Sequence, residues 1–286
     1  MGINLSKVNF AYGYPKKKLP PKYVLKDINI EISDANEFIM LLGASGSGKS
    51  TLVQLFNGLL LSNEGDVLVF GKRLCKQKSI NLKDVRKKVG LVFQFPEYQL
   101  FEETVLKDVE FGPKNFGLEN YQELAKEALR VVGIDETLYY RSPYALSGGQ
   151  MRKVAIAGIL ASNPDILVFD EPTVGLDPVA KKELVDLLKE LNDKYNKTII
   201  LITHDMEVVG EAGKRIVVLK DGNIVFDGEK DSLFMSEDII EKYSLDYPPT
   251  VKTLREIKKK FNVKLNELQY TVEDAYQELE RVFDHE

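Results

Sequence analysis

The chain contains one cysteine, Cys75. That excludes an intrachain disulfide and a cysteine-rich metal site, and it suits a reducing cytosol. Long apolar runs are missing as well. A membrane-spanning helix needs roughly 18–20 consecutive apolar residues. The longest runs are Phe38-Ile-Met-Leu-Leu42, Ile166-Leu-Val-Phe169 and Ile199-Ile-Leu-Ile202, each the length of a buried strand. A role in transport would therefore need another chain to cross the membrane. Residues 1–20 lack the apolar core of a signal peptide. Positive charge is not in excess: the net charge is −5, with 29% charged residues. That balance argues against nucleic acid as a partner, which draws a basic domain. A polyanion must be held locally, by a loop and a lysine. There are no internal repeats and no low-complexity segments.

What is present suits one large α/β domain, or one domain with an appendage: 286 residues, 44% of them hydrophobic. Candidate strands lie at 5–10 and 24–32. The second alternates, with Ile28, Ile30 and Ile32 on one face, as a half-buried antiparallel strand does. Tyr14 to Lys22 between them is a proline-rich loop. Continuous apolar strands at 38–42, 89–93, 166–169 and 198–202 alternate with helical stretches, the pattern of a parallel sheet with crossover helices. Helices are predicted at 49–60, 121–132 and 150–161. Lys220-Asp-Gly-Asn223 closes a hairpin between short strands at 215–219 and 224–226. Pro248-Pro249 breaks the chain. Thr250 is expected to cap a helix carrying Leu254, Ile257 and Phe261. Thr271 is expected to cap another, carrying Ala275, Leu279 and Val282. The lysine runs 16–18 and 258–260 read as solvated.

Three motifs carry chemistry. Gly43-Ala44-Ser45-Gly46-Ser47-Gly48-Lys49-Ser50 matches the phosphate-loop pattern, after a strand and before a helix that continues with Thr51. Its glycines turn N–H groups inward, Lys49 suits the β- and γ-phosphates, and Ser50 suits Mg²⁺. Asp170-Glu171 closes a buried strand at the edge where open α/β sheets bind ligands. Asp170 suits Mg²⁺ and Glu171 suits a general base for water. Leu146-Ser147-Gly148-Gly149-Gln150 places two glycines at a helix start, a second anion site that one nucleotide does not need in the same chain.

Leu146–Gln150 resembles the signature motif of ABC-type ATPases, and the rest of that family's set follows in order over residues 3–230. Gln94 resembles the glutamine loop, Gly175-Leu-Asp177 the loop after the base, and Thr203-His204 the switch histidine. Tyr12 takes the place of the aromatic that stacks on adenine, with Tyr14 as the alternative. The resemblance implies a cassette fold over 3–245: a parallel-sheet core, an N-terminal antiparallel β subdomain, and a helical subdomain at about 95–165. It implies ATP and Mg²⁺ as ligands, Gln94 at Mg²⁺ and the attacking water, His204 at the γ-phosphate positioning Glu171, and head-to-tail pairing in which each ATP meets the other chain's Ser147–Gln150 and Asp177.

The stretch Phe93-Gln-Phe-Pro-Glu-Tyr-Gln-Leu-Phe101 and Glu102 to Pro113 is rich in aromatic and acidic residues. It reads as a groove for a basic partner helix, with Glu97, Glu102 and Glu103 contributing charge. It resembles the ATPases of energy-coupling factor (ECF) transporters, in their second type. That resemblance implies uptake of a vitamin or other micronutrient and a peripheral position on the cytoplasmic face of the cell membrane. It implies a related second cassette, with a homodimer as the alternative, a multi-spanning scaffold and a separate membrane substrate-binding component. The helices of 246–286 would aid dimerisation. Two rival classes fit less well. In the soluble class, ABC-type repair machines carry a long coiled coil that has no room between Ser50 and Ser147, and translation factors carry two cassettes per chain; the ATPase of another ABC importer class is the nearer alternative. A non-hydrolytic, ATP-gated protein would not need Glu171 and His204.

Overall fold

Strand parity builds the core. Phe38, Met40 and Leu42 join one buried cluster with Leu167, Phe169, Ile199 and Leu201; Ile39 and Leu41 join a second with Ile166, Val168, Ile200 and Ile202. Successive side chains of a strand point to opposite faces, so a sheet apolar on both faces must be covered on both. This computed structural model describes residues 2–13, 21–74 and 81–283. Tyr14, the lysine run 16–18 and Cys75 lie outside the described residues.

Among the described residues, ten strands form two sheets. The first, ordered β2-β1-β4-β5, is antiparallel: β1 (Ile3–Phe10), β2 (Leu25–Ile32), β4 (Glu64–Val69) and β5 (Lys72–Leu74). The second runs β10-β9-β3-β8-β7-β6. In it β3 (Phe38–Leu42), β6 (Val89–Val92), β7 (Ile166–Asp170), β8 (Thr198–Ile202) and β9 (Arg215–Lys220) are parallel. β10 (Asn223–Glu229) returns antiparallel to β9 across a turn in which Asp221 and Gly222 both have positive φ, the conformation that tight hairpins favour. The predicted alternation in β2 is present, with Ile28, Ile30 and Ile32 buried.

One face of the parallel sheet packs on the antiparallel sheet and on α1 (Lys49–Phe56) and α2 (Leu82–Lys88). The other packs on α3 (Val105–Asn115), α4 (Tyr121–Val131), α5 (Gly148–Leu160), α6 (Pro178–Asp193), α7 (Met206–Ala212) and α8 (Lys230–Met235), with α9 (Glu237–Tyr243) at its edge. The helices α3 to α5 all fall between β6 and β7. α10 (Pro249–Phe261) and α11 (Val272–Phe283) enclose a small core of Leu254, Leu265 and Ala275, backed by Ile257, Leu279 and Val282.

Thr250 does not cap α10. The helix already begins at Pro249, and Thr250 Oγ1 is buried without a partner. Proline fits the first helical position because its missing N–H would be unpaired there anyway. Thr271 does cap: its Oγ1 accepts from Asp274 N (3.1 Å). α1 is shorter than predicted, ending at Phe56, with Gly58 at φ 70° stopping it.

Candidate functional site

The parallel register brings several strand ends level. Leu41 of β3 and Asp170 of β7 both pair with Ile202 of β8. Gly43, Glu171 and Thr203-His204 therefore emerge at one edge, the carboxyl end of the sheet. Val92 of β6 pairs with Phe169, so Gln94 reaches the same edge, where it is exposed.

Gly43–Gly48 bridge β3 to α1. Gly43 has φ 141°, and a Cβ there would lie 2.1 Å from the Leu219 carbonyl oxygen of β9, so no other residue fits. Gly46 has φ 78° and meets nothing within 4 Å, which leaves the loop's outer side open. The β9–β10 turn braces the loop from behind, with Gly222 N donating to Ser47 O (3.1 Å). Lys49 Nζ donates to Gly43 O (2.8 Å) and Ala44 O (3.1 Å). Burial pushes the Lys49 ammonium below the usual lysine range, opposed by the charges of Glu171 and Asp170. The six residues Gly43–Gly48 and the start of α1, with the Lys49 ammonium held against the loop carbonyls, have the backbone arrangement that suits an anion.

The carboxylates follow. Burial raises Asp170 above the usual aspartate range, opposed first by a hydrogen bond from Ser50; Glu171 adds to the rise and Lys49 opposes it. Ser50 and Asp170 thus make an adjacent all-oxygen pair, which fits a hard divalent cation that takes its other ligands from phosphate and water. Glu171 stands at φ 50°, a left-handed conformation costly for a non-glycine residue, and its N–H is tied to Ile202 O (3.0 Å). His204 Nδ1 lies 3.5 Å from Glu171 Oε2, with the histidine 76% exposed and the glutamate 26%. Around His204, Asp205 N donates to Thr203 Oγ1 (3.0 Å), and Asp205 caps α7 and pairs with Lys181 (2.6 Å).

Tyr12 OH lies 2.9 Å from Thr51 Oγ1, and its ring meets Phe10 edge-on at 4.9 Å. The ring is 60% exposed beside the start of α1.

The remaining predicted residues sit elsewhere. Ser147 Oγ accepts from Gln150 N (3.3 Å) and Gln150 Oε1 accepts from Ser147 N (3.0 Å), a reciprocal cap on α5. Asp177 Oδ1 caps α6, accepting from Val179 N and Ala180 N (both 2.9 Å). Ser147, Gly149, Gln150 and Asp177 line one cavity of about 880 Å³, and no residue of Gly43–Thr51 lines it. A Cβ at Gly148 or Gly149 would meet nothing within 4 Å. The fold of this chain does not demand glycine at either position.

Glu97 departs from expectation. It is not a free groove charge: its part-buried carboxylate makes a two-point ion pair with the buried Arg152, at 2.8 and 3.0 Å. Glu103 is engaged by Lys107 (2.7 Å), and Asp108 Oδ2 accepts from Phe101 N and Glu102 N (both 2.8 Å). Glu103 stays 82% exposed in its pair, and the groove is otherwise aromatic. Exposed Phe101 and Phe111 meet edge-on at 4.9 Å above a cleft of about 330 Å³ that Leu91, Gln99 and Gly158 also line. Sequence reading missed Arg152. A charged residue in register with Ile156 on the buried face of α5 was the available signal.

A glycine loop between strand and helix, with an acidic strand end beside it, defines a P-loop nucleotide-binding protein. The ABC transporter family model matches residues 25–174, and the chain belongs to that family. Among its relatives is the energy-coupling factor transporter ATP-binding protein EcfA2 of Bacillus subtilis, 45% identical and covering 93% of this chain and 97% of that protein. EcfA2 of Streptococcus pneumoniae is 48% identical, over 87% and 88%. Among solved structures, cbiO1 from Clostridium perfringens, part of the ABC transporter complex cbiONQ, aligns with TM-score 0.73 at 33% identity, over 91% and 98% of the two chains. A dimeric post-hydrolysis state of the cassette MJ0796 bound to ADP and Pi aligns with TM-score 0.68 at 33% identity, over 79% and 98%.

Proposed function

We propose that this chain is the ATP-hydrolysing motor subunit of an ECF-type importer, working as one half of a cassette pair. One observation carries the composite reading. Ser147, Gly149, Gln150 and Asp177 line a cavity separate from the phosphate loop, and Gly148 and Gly149 face open space. Glycines that the chain's own packing does not require are explained by a phosphate approaching the start of α5 from another subunit.

In this reading Tyr12 stacks on adenine, while the amides of Gly43–Gly48 and Lys49 hold the β- and γ-phosphates. Mg²⁺, when bound, would be held by Ser50, Asp170 and Gln94, and would neutralise phosphate charge. Glu171 takes a proton from the attacking water, and His204 holds both the γ-phosphate and the Glu171 carboxylate in place. Asp177 and Ser147–Gln150 act across the pair. The helical subdomain of about 95–165 presents the aromatic groove to a multi-spanning scaffold. The helices within 246–286 bring the cassettes together, the partner being a related second cassette. Substrate selection falls to a separate membrane component, for a vitamin or other micronutrient. Among the described residues no helix is long and apolar enough to cross a membrane, which is compatible with a peripheral position on the cytoplasmic face.

The test is co-purification from detergent-solubilised membranes. The tagged chain is expected to bring down a second cassette and a multi-spanning protein. Recovery without any membrane protein would contradict the assignment to an importer.

A further inference from the structure

Arg152 lies in the second turn of α5 and is 6% exposed. Its guanidinium has four hydrogen bonds, all aimed at two loops. Nε and Nη2 donate to Glu97 at 3.0 and 2.8 Å; Nη1 donates to Pro172 O at 2.9 Å and Val174 O at 3.0 Å. The same group lies 5.8 Å from the centre of the Phe95 ring. Both loops leave parallel strands through a strained residue. Phe95 has φ 54° directly after Gln94, and Glu171 has φ 50° directly after Asp170. Such conformations persist only where the surroundings hold them. One planar, forked cation pins both, from the helix that begins with Ser147–Gln150.

We infer that Arg152 is a positioning residue that ties the Gln94 turn and the Glu171 turn to the signature helix and so holds both in their strained conformations. The inference rests on the catalytic roles proposed above for Gln94 and Glu171. It gives the chain a physical link between the aromatic groove, which begins beside Glu97, and both halves of the composite site. Lysine keeps the charge but has three donors at a single point, so it cannot reproduce the two-point pair with Glu97 together with both carbonyl bonds.

The test uses the full chain paired with its second cassette, comparing Arg152→Lys, Glu97→Gln, the double variant and a Glu171→Gln control. ATP affinity, kcat and melting temperature are measured for each. Arg152 touches no residue of the phosphate loop. ATP affinity of Arg152→Lys is therefore expected to stay within about two-fold of the parent, while kcat falls about ten-fold, the loss that one charged hydrogen bond supports. Glu97→Gln lowers kcat in the same sense, and the double variant is no worse than Arg152→Lys, because both remove one link. Parental kcat in Arg152→Lys overturns the inference. So do additive losses in the double variant, or a fall in kcat matched by the fraction unfolded. If Glu171→Gln is inactive while Arg152→Lys turns over normally, this inference alone fails. If Glu171→Gln turns over normally, the general-base assignment fails with it.

Discussion

Tyr12 reaches Thr51 through its hydroxyl yet keeps its ring exposed, so its two contributions can be separated. Tyr12→Phe removes only the hydrogen bond and is expected to bind ATP nearly as the parent does. Tyr12→Ala also removes the ring and is expected to weaken binding by roughly 1–3 kcal/mol, the range for stacking a base on an aromatic. Equal losses in an equilibrium binding titration would contradict stacking. Lys49→Ala should weaken ATP binding itself, and unchanged affinity in the same titration would count against the cradle. Residues of this kind were legible in the sequence, because phosphate chemistry requires fixed residue types at fixed spacing. Arg152 and Glu97 were not. They lie 55 positions apart, and no local pattern says that a surface-type charge is buried or which distant carboxylate meets it.

At the scale of elements, the glycines opening α5 give the sharpest expectation. Gly148 and Gly149 are helical, and a Cβ at either has open space. Gly149→Ala should therefore leave the fold intact or stabilise it by about 0.5–1 kcal/mol, since glycine is the poorer helix residue. It should nevertheless lower steady-state ATP hydrolysis. A loss of hydrolysis explained by a lower melting temperature would remove the argument for an approaching partner nucleotide. Continuous apolar strands and long amphipathic helices were readable because periodicity reports burial. β4 and β5 were not, as they begin Glu64-Gly-Asp66 and Lys72-Arg73 with few apolar residues to set a period. Pairing along β1 makes them strands. The expected Thr250 cap failed because Pro249 opened the helix one residue earlier.

On the scale of the whole molecule, α11 has two apolar faces. Ala275, Leu279 and Val282 pack inward, while Val272, Tyr276 and Phe283 are exposed. An exposed stripe on a helix that already has a core suits a partner surface. Val272→Asp with Tyr276→Glu should weaken cassette pairing in sedimentation equilibrium without lowering the melting temperature, and pairing at parental strength would exclude this face. The order of elements was legible, whereas the use of each helix face depended on contacts that only the fold assembles. The account as a whole turns on ATP hydrolysis by Glu171 in a closed pair, so the most direct measurement is ATP turnover and retention in Glu171→Gln. Loss of a general base should cut turnover by about 10²–10⁴-fold while ATP stays bound and the pair stays closed in size-exclusion chromatography. Undiminished turnover in that variant would contradict the account.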